Sequence, residues 1–159
     1  MIPYTSEQTI KQLEKRKGGY LYLEIEAEIV NQFENKRNTR LICTLDQKLT
    51  FQCGLNHLGN GNYFIILPAK SLKSYDIKLG DSVQFEIRVD PNPLGVDIPE
   101  TIESLLEQDE DLKNKFHKLS LGKQRSIIFY VMKIKDIDRQ IEKTIELIHH
   151  IDVIRSKRK

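Results

Sequence analysis

Between residues 112 and 135 the chain carries Lys113, Lys115, Lys118, Lys123, Arg125, Lys133 and Lys135, with no acid among them. The preceding stretch, residues 100–111, is the reverse: Glu100, Glu103, Glu107, Asp109, Glu110 and Asp111, with no base. Clustered lysine and arginine can hold an anion or a nucleic-acid backbone. Lys113, Lys115, Lys118, Lys123 and Arg125 flank the "LSLG" connection between two expected helices. Unpaired backbone N–H groups near Ser120 to Lys123, at the start of the second, would favour a phosphate. The chain closes on a second basic run, Arg155, Lys157, Arg158 and Lys159. The competing reading is electrostatic housekeeping: the acidic and basic blocks are solvated faces that pair with each other.

Other chemistry is hard to assemble. The histidines are His57, His117, His149 and His150, and the adjacent pair stands about 100° apart on a helix. The cysteines, Cys43 and Cys53, lack CxxC spacing and predict no zinc site. Both fall on apolar faces of adjacent expected strands, as buried reduced thiols, although the spacing also allows a disulfide across the hairpin. No HExxH, P-loop or GxSxG pattern occurs, and "GNG" at 59–61 reads as a turn. The expectation is a non-enzymatic protein with no cofactor and no metal. Its partner is an unidentified protein or small molecule, with nucleic acid as the alternative and an unrecognised enzyme site as a third reading.

Composition sets the frame for these groups. At 159 residues, with 39% hydrophobic and 30% charged side chains, the chain fits one domain or two small ones. Net charge is +2, so the total implies no general affinity for polyanions. No apolar run approaches the roughly 20 residues of a membrane span, and "MIPYTSEQTIKQLEKRK" has no apolar core of a secretory signal. A cytoplasmic location is the expectation.

The first half contains a repeat. When "LPAKSLKSYDIKLGDSVQFEI" (67–87) is shifted back by 42 residues, "IEAEIVNQFENKRNTRLICTL" (25–45) lies beneath it without a gap. Ala27 matches Ala69 and Val30 matches Leu72; Leu41, Cys43 and Leu45 match Val83, Phe85 and Ile87. Tyr20 and Tyr63 correspond if one residue is skipped. A helical spacing and a period-2 spacing agree at once, which predicts a duplicated β-α-β unit and a pseudo-symmetric small barrel. Strands are expected at 20–26, 40–46, 48–54, 63–67 and 82–89. The hairpin at Asp46-Gln47-Lys48 needs a three-residue loop, since a two-residue turn would set Leu45 opposite Lys48 and mismatch the faces. "SEQTIKQLEKRK" reads either as a helix capped by Ser6 or as the first strand.

The segments "GGYLYLEIEAEIV", "FQCGLNHLGNGNYFIIL" and "IKLGDSVQFEIRVD" resemble a bacterial barrel domain of unknown function over about residues 8–90. The resemblance implies a double-split β-barrel, related in shape to swapped-hairpin transcription regulators and antitoxins. The chain departs from that pattern at Asp46-Gln47, where an Asn-Gly turn is usual, and at Glu26, where a proline is usual; Pro68 fills the second copy's place.

Three of the five prolines lie in "DPNPLGVDIPE", residues 90–100, and mark a boundary. The expected organisation is a barrel at 1–90, a linker at 91–99 and a helical domain at 100–159, α+β overall. Ile102, Leu105 and Leu106 form one apolar face, Leu112, Phe116 and Leu119 a second, capped near Asp109, and Ile127, Ile128, Val131 and Met132 a third. Ile134, Ile137, Ile141, Ile145, Ile148 and Ile151 predict a long last helix. Pro99, Phe116 to Ser120, "GKQR" at 122–125, Tyr130-Val131 and Lys135 resemble the YdeI/OmpD-associated, or bacteriocin-protection, family. That family often carries Ala-Lys, Thr-Arg and a further Arg where this chain has Ile134-Lys135, Arg139-Gln140 and Lys143. The resemblance implies a link to stress or bacteriocin tolerance.

Overall fold

The computed structural model describes the backbone of residues 3–156 and the side chains of residues 3–150. The chain divides into two compact units between Gly95 and Val96, inside the proline-rich stretch. The fold is α+β: two four-stranded antiparallel sheets make up the first unit and four helices the second.

The first unit runs β1 (Tyr4–Thr9), β2 (Lys11–Gln12), β3 (Leu21–Ile25), α1 (Ala27–Val30) and β4 (Leu41–Leu45). It continues β5 (Leu49–Cys53), β6 (Asn56–His57), β7 (Tyr63–Ile66), α2 (Ala69–Ser74) and β8 (Ser82–Val89). One sheet has the order β1-β8-β4-β5 and the other β2-β3-β7-β6. The sheets are not closed into a ring by strand pairing, but they share one core. Leu23, Ile25, Ile65 and Leu67 meet Leu41, Cys43, Leu45, Val83, Phe85 and Ile87 in it. The N-terminal segment is therefore a strand and Ser6 caps no helix: Tyr4 to Thr9 pair with Ile87 to Ser82 along the edge of β8.

The duplication extends further than the sequence pattern. Both sheet orders read the same when β1 is exchanged with β5, β2 with β6, β3 with β7 and β4 with β8. The register is equivalent as well. Tyr4↔Ile87 corresponds to Leu49↔Leu45, and Lys11↔Tyr22 to Asn56↔Phe64. The offset is 45 residues for the first two strands (4 to 49) and 42 from β3 onward (21 to 63). The three-residue difference is absorbed in the connections, eight residues from 13 to 20 against five from 58 to 62. Tyr63 thus corresponds to Leu21 rather than to Tyr20, and no skip is needed. Leu23↔Ile65 and Thr44↔Glu86 are the pairs that exchange with themselves, so they mark the pseudo-dyad.

The β4–β5 hairpin closes as its faces require. Leu45 pairs with Leu49 across a loop of Asp46, Gln47 and Lys48, with φ of +46° at Asp46 and +57° at Gln47. Aspartate and, less readily, glutamine tolerate this left-handed region. Asp46 is fixed further by accepting the Gln84 N–H at 2.9 Å. The turn at 59–62 is tied down through Glu24, whose carboxylate accepts from Asn60 Nδ2 at 2.8 Å and Asn62 Nδ2 at 3.2 Å. Those two bonds, ahead of the charge of Lys11, hold the Glu24 carboxyl below its ordinary value.

Residues 90–95 belong with the first unit. Asp90 N–H donates to the Arg40 carbonyl at 2.9 Å, and the Asp90 carboxylate accepts from Gln52 Nε2 at 3.0 Å and the Asn92 N–H at 2.9 Å. Gly95, at φ +73°, lies against the Arg40 side chain where a Cβ would collide with it.

The second unit contains α3 (Glu100–Gln108), α4 (Glu110–Lys118), α5 (Leu121–Met132) and α6 (Ile137–Ser156). Asp109 caps α4 by accepting the Leu112 N–H at 3.0 Å, and Ser120 caps α5 by accepting the Lys123 N–H at 3.3 Å. α6 packs against α3, α4 and α5. It departs from the sequence expectation in two ways. It starts at Ile137 rather than Ile134, and its buried face is Thr144, Leu147 and Ile148. Ile137 is 63% exposed and Ile145 is also on the solvent side. The buried face is rotated about 60° from the isoleucine stripe. Thr144 makes this possible, because its hydroxyl donates to the Gln140 carbonyl at 2.6 Å and so enters the core satisfied. Ile151 lies outside the described side chains.

Alanine substitutions just after the loop test the register. Leu49 is buried and Thr50 exposed, so Leu49→Ala should cost about 2–5 kcal/mol and lower the Tm by circular dichroism, whereas Thr50→Ala should change it little. A larger loss from Thr50→Ala than from Leu49→Ala would show that the strand faces are the other way round.

Candidate functional site

The basic block of the second unit is the first candidate. On α4, Lys115 and Lys118 stand about 60° apart, whereas Lys113 lies about 200° from Lys115 on the other flank of the buried Leu112–Phe116 face. Lys123 and Arg125 on α5 are again about 200° apart. One helix face therefore gathers Lys115 and Lys118 but not Lys113. Lys115 Nζ also bonds Asp111 Oδ2 at 3.2 Å and lies 3.4 Å from His149 Nδ1, so the acidic and basic blocks pair at this point. At the start of α5 the Lys123 N–H is already taken by its cap. Of the basic tail, Lys157, Arg158 and Lys159 lie outside the described residues, and the Arg155 side chain outside the described side chains.

Nucleophiles and metal ligands do not converge. Cys43 and Cys53 are free and buried on β4 and β5. Burial pushes both thiols up, Cys53 to about 12. His57 stacks on Tyr63, with ring centroids 5.1 Å apart, and contacts Arg37; His117 Nδ1 meets the Lys113 carbonyl at 2.9 Å. Among the described residues no three histidine, cysteine or carboxylate groups come together as a metal site.

The first unit contributes what the sequence reading did not anticipate: two cavities related by the pseudo-dyad. One, of about 320 Å³, is lined by Asp46, Lys48, Tyr75, Asp76, Ile77, Asp81, Ser82 and Val83. The other, of about 570 Å³, is lined by Pro3, Gln32, Glu34, Asn35, Thr39, Arg88 and Val89. Five of these seven positions have their counterpart in the smaller cavity: Glu34 with Asp76, Asn35 with Ile77, Thr39 with Asp81, Arg88 with Asp46 and Pro3 with Lys48. Each cavity forms where the loop between a short helix and its following strand passes the end of the neighbouring strand.

Equivalent strand registers carry loops that differ in backbone and chemistry, with the left-handed residue at Lys36 beside the larger cavity and at Asp76 in the smaller. In the smaller cavity the polar groups serve the fold: Asp46 accepts from Gln84 N–H at 2.9 Å, and Asp81 accepts from Lys78 N–H at 3.0 Å. In the larger cavity the counterparts have no such duty. Thr39 is 3% exposed, and its Oγ1 is buried without a hydrogen-bond partner. An unsatisfied buried hydroxyl costs about 1–3 kcal/mol. The Lys36 N–H, which corresponds to Lys78 N–H, donates instead to the Phe33 carbonyl at 3.1 Å. The side chains of Arg88, Glu34, Gln32 and Asn35 are exposed and make no hydrogen bond or ion pair with the described residues. A third depression, of about 340 Å³, lies on the outer face of β1, β8 and β4 around Glu7, Thr44 and Glu86.

The duplication was legible as an apolar pattern, but the cavity residues were not, because Thr39 and Arg88 belong to no motif. Laying the two halves over each other could have exposed them, as Thr39 against Asp81 and Arg88 against Asp46.

Residues 7–87 match the family model described as a domain of unknown function, DUF1905. Residues 95–150 match the model described as bacteriocin-protection, YdeI or OmpD-associated. No curated protein and no solved structure gives a significant match. No helix among the described residues is long and apolar enough to cross a membrane.

With both thiols neutral in the fold, a disulfide-exchange reagent at pH 8 should modify neither cysteine until denaturant is added. The linkage has a fixed sign. An unfolded thiol ionises near its ordinary value of 9.0, whereas folded Cys53 holds its proton to about 12. The contribution to stability is complete below pH 9 and falls as pH rises through that window. Denaturant melts showing stability that rises from pH 9 to 11 would contradict the thiol linkage. For the basic block, a labelled mixed-sequence DNA duplex should show no anisotropy change at about 50 mM salt, where even non-specific contacts are favoured. Salt-sensitive binding that Lys115→Ala/Lys118→Ala abolishes would restore the nucleic-acid reading.

Proposed function

The chain belongs to the DUF1905 family of domains of unknown function, joined to a YdeI/OmpD-associated half, and from that premise we propose that it is a non-enzymatic binding protein. Its ligand site is the larger cavity of the first unit. One observation carries this reading: at equivalent points of a duplicated backbone, one half spends its polar groups on the fold and the other leaves Arg88 and Thr39 without partners. The volume lies in the range of roughly 300–1,000 Å³ that suits small-molecule ligands. The buried, high-pKa thiols and the scattered histidines support a role in binding rather than catalysis. The description of the helical half as bacteriocin-protection supports placing that binding in bacteriocin tolerance; a cytoplasmic location is part of the same proposal.

Equilibrium dialysis of the full chain against a cell extract of small molecules tests the proposal. Mass spectrometry should find at least one compound concentrated by the unsubstituted protein and released by Arg88→Gln, with the two proteins equally folded by circular dichroism. If no compound distinguishes them, the cavity is not a binding site.

A further inference from the structure

The larger cavity carries opposite charges on different walls. Arg88 stands on β8, and Glu34 stands in the loop between α1 and β4. Neither has a partner among the described residues. Beside them are two amides, Gln32 and Asn35, and the orphaned Thr39 hydroxyl. A guanidinium offers only donors, in a planar fork that matches a carboxylate. A carboxylate offers only acceptors, and amides and hydroxyls offer both. A simple anion would satisfy Arg88 but would be repelled by Glu34. A simple cation would meet the reverse. A molecule with both charges satisfies both walls, and its remaining polar atoms meet the amides.

Resting on the reading of this cavity as the binding site, we infer that its ligand class is a small zwitterion: a free amino acid or a short peptide presenting both termini. The carboxylate is held by Arg88 and the ammonium by Glu34. The smaller cavity arranges its charges differently. There Asp46 takes the place of Arg88 and Asp81 that of Thr39, both held by backbone N–H groups, and the cation, Lys48, takes the place of Pro3.

Saturation-transfer NMR on the full chain, with L-alanine, diglycine, acetate and ethylamine as separate probes, tests this. Transfer is expected to L-alanine and diglycine and not to acetate or ethylamine. Arg88→Gln and Glu34→Gln should each weaken the zwitterion signal by about tenfold or more, the size of one lost charge-assisted hydrogen bond. Asp76→Asn, in the smaller cavity, should leave it unchanged. Acetate binding as well as L-alanine, insensitive to Glu34→Gln, would overturn the zwitterion class. Silence from all four probes would overturn it too. In either case a compound retained through Arg88 in the dialysis experiment would leave the binding role standing, whereas its absence there would remove both.

Discussion

The pairing across the pseudo-dyad is the constraint on which the first unit depends. β4 lies against β8 and β3 against β7, with Thr44↔Glu86 and Leu23↔Ile65 at the centres. Side chains alternate with period two, so a slip of one residue in either pair would carry Leu41, Cys43 and Leu45, or Leu23 and Ile25, out of the core. The short helices follow from the same pairing. Val30 and Leu72, both buried, cover equivalent places because each chain segment leaves one sheet and must return to the other at a fixed register. The cavities lie where those returning loops pass the strand ends, so their position is a consequence of register rather than a separate feature.

Symmetric geometry leaves the side chains free to differ wherever the core does not constrain them. Gln8 clamps β1 to β3 by bonding both backbone groups of Glu24, at 2.6 and 3.0 Å. Its counterpart 45 residues on is Cys53, which fills space and bonds nothing comparable. The same division separates the cavities. Asp81 ties the turn at 78–81 twice: its carboxylate accepts the Lys78 N–H at 3.0 Å and its own N–H donates to the Lys78 carbonyl at 3.1 Å. Thr39 at the matching place makes the same backbone bond, to the Lys36 carbonyl at 3.1 Å, but the Lys36 N–H is taken by the Phe33 carbonyl and the hydroxyl receives no donor from it.

Much of this architecture could be read from sequence because it rests on alternation and spacing. The gap-free 42-residue offset, the three-residue hairpin loop and the Asp109 cap are all local rules acting on local residues. Three features were not legible, each for a physical reason. The first strand was ambiguous because "YTSEQT" alternates weakly and its partner, β8, lies some 80 residues away. The face of α6 was misjudged because counting isoleucines ignores a threonine that satisfies its own hydroxyl within the helix. The site was missed because a cavity is made by chain segments brought together from residues 3, 32–39 and 88–89. No window of sequence contains it.

The orphaned hydroxyl then has an explanation in the economy of a duplicated fold. Buried polar groups are ordinarily paired; Asp81 is paired with the Lys78 N–H, but the matching Lys36 N–H is held by the Phe33 carbonyl, which leaves the Thr39 hydroxyl without that donor. Natural chains depart from such local consistency mainly where function intervenes. Both copies close the loop, by Asp81 N–H to the Lys78 carbonyl and Thr39 N–H to the Lys36 carbonyl, each at 3.1 Å; the departure is at the Thr39 hydroxyl, the buried position among those that line the larger cavity. The internal copy thus serves as a comparison that a single-copy fold does not provide: the strand register is shared, but the left-handed residue is Lys36 in one loop and Asp76, the counterpart of Glu34, in the other, so the unsatisfied hydroxyl follows from the loop backbone as well as from the side chain.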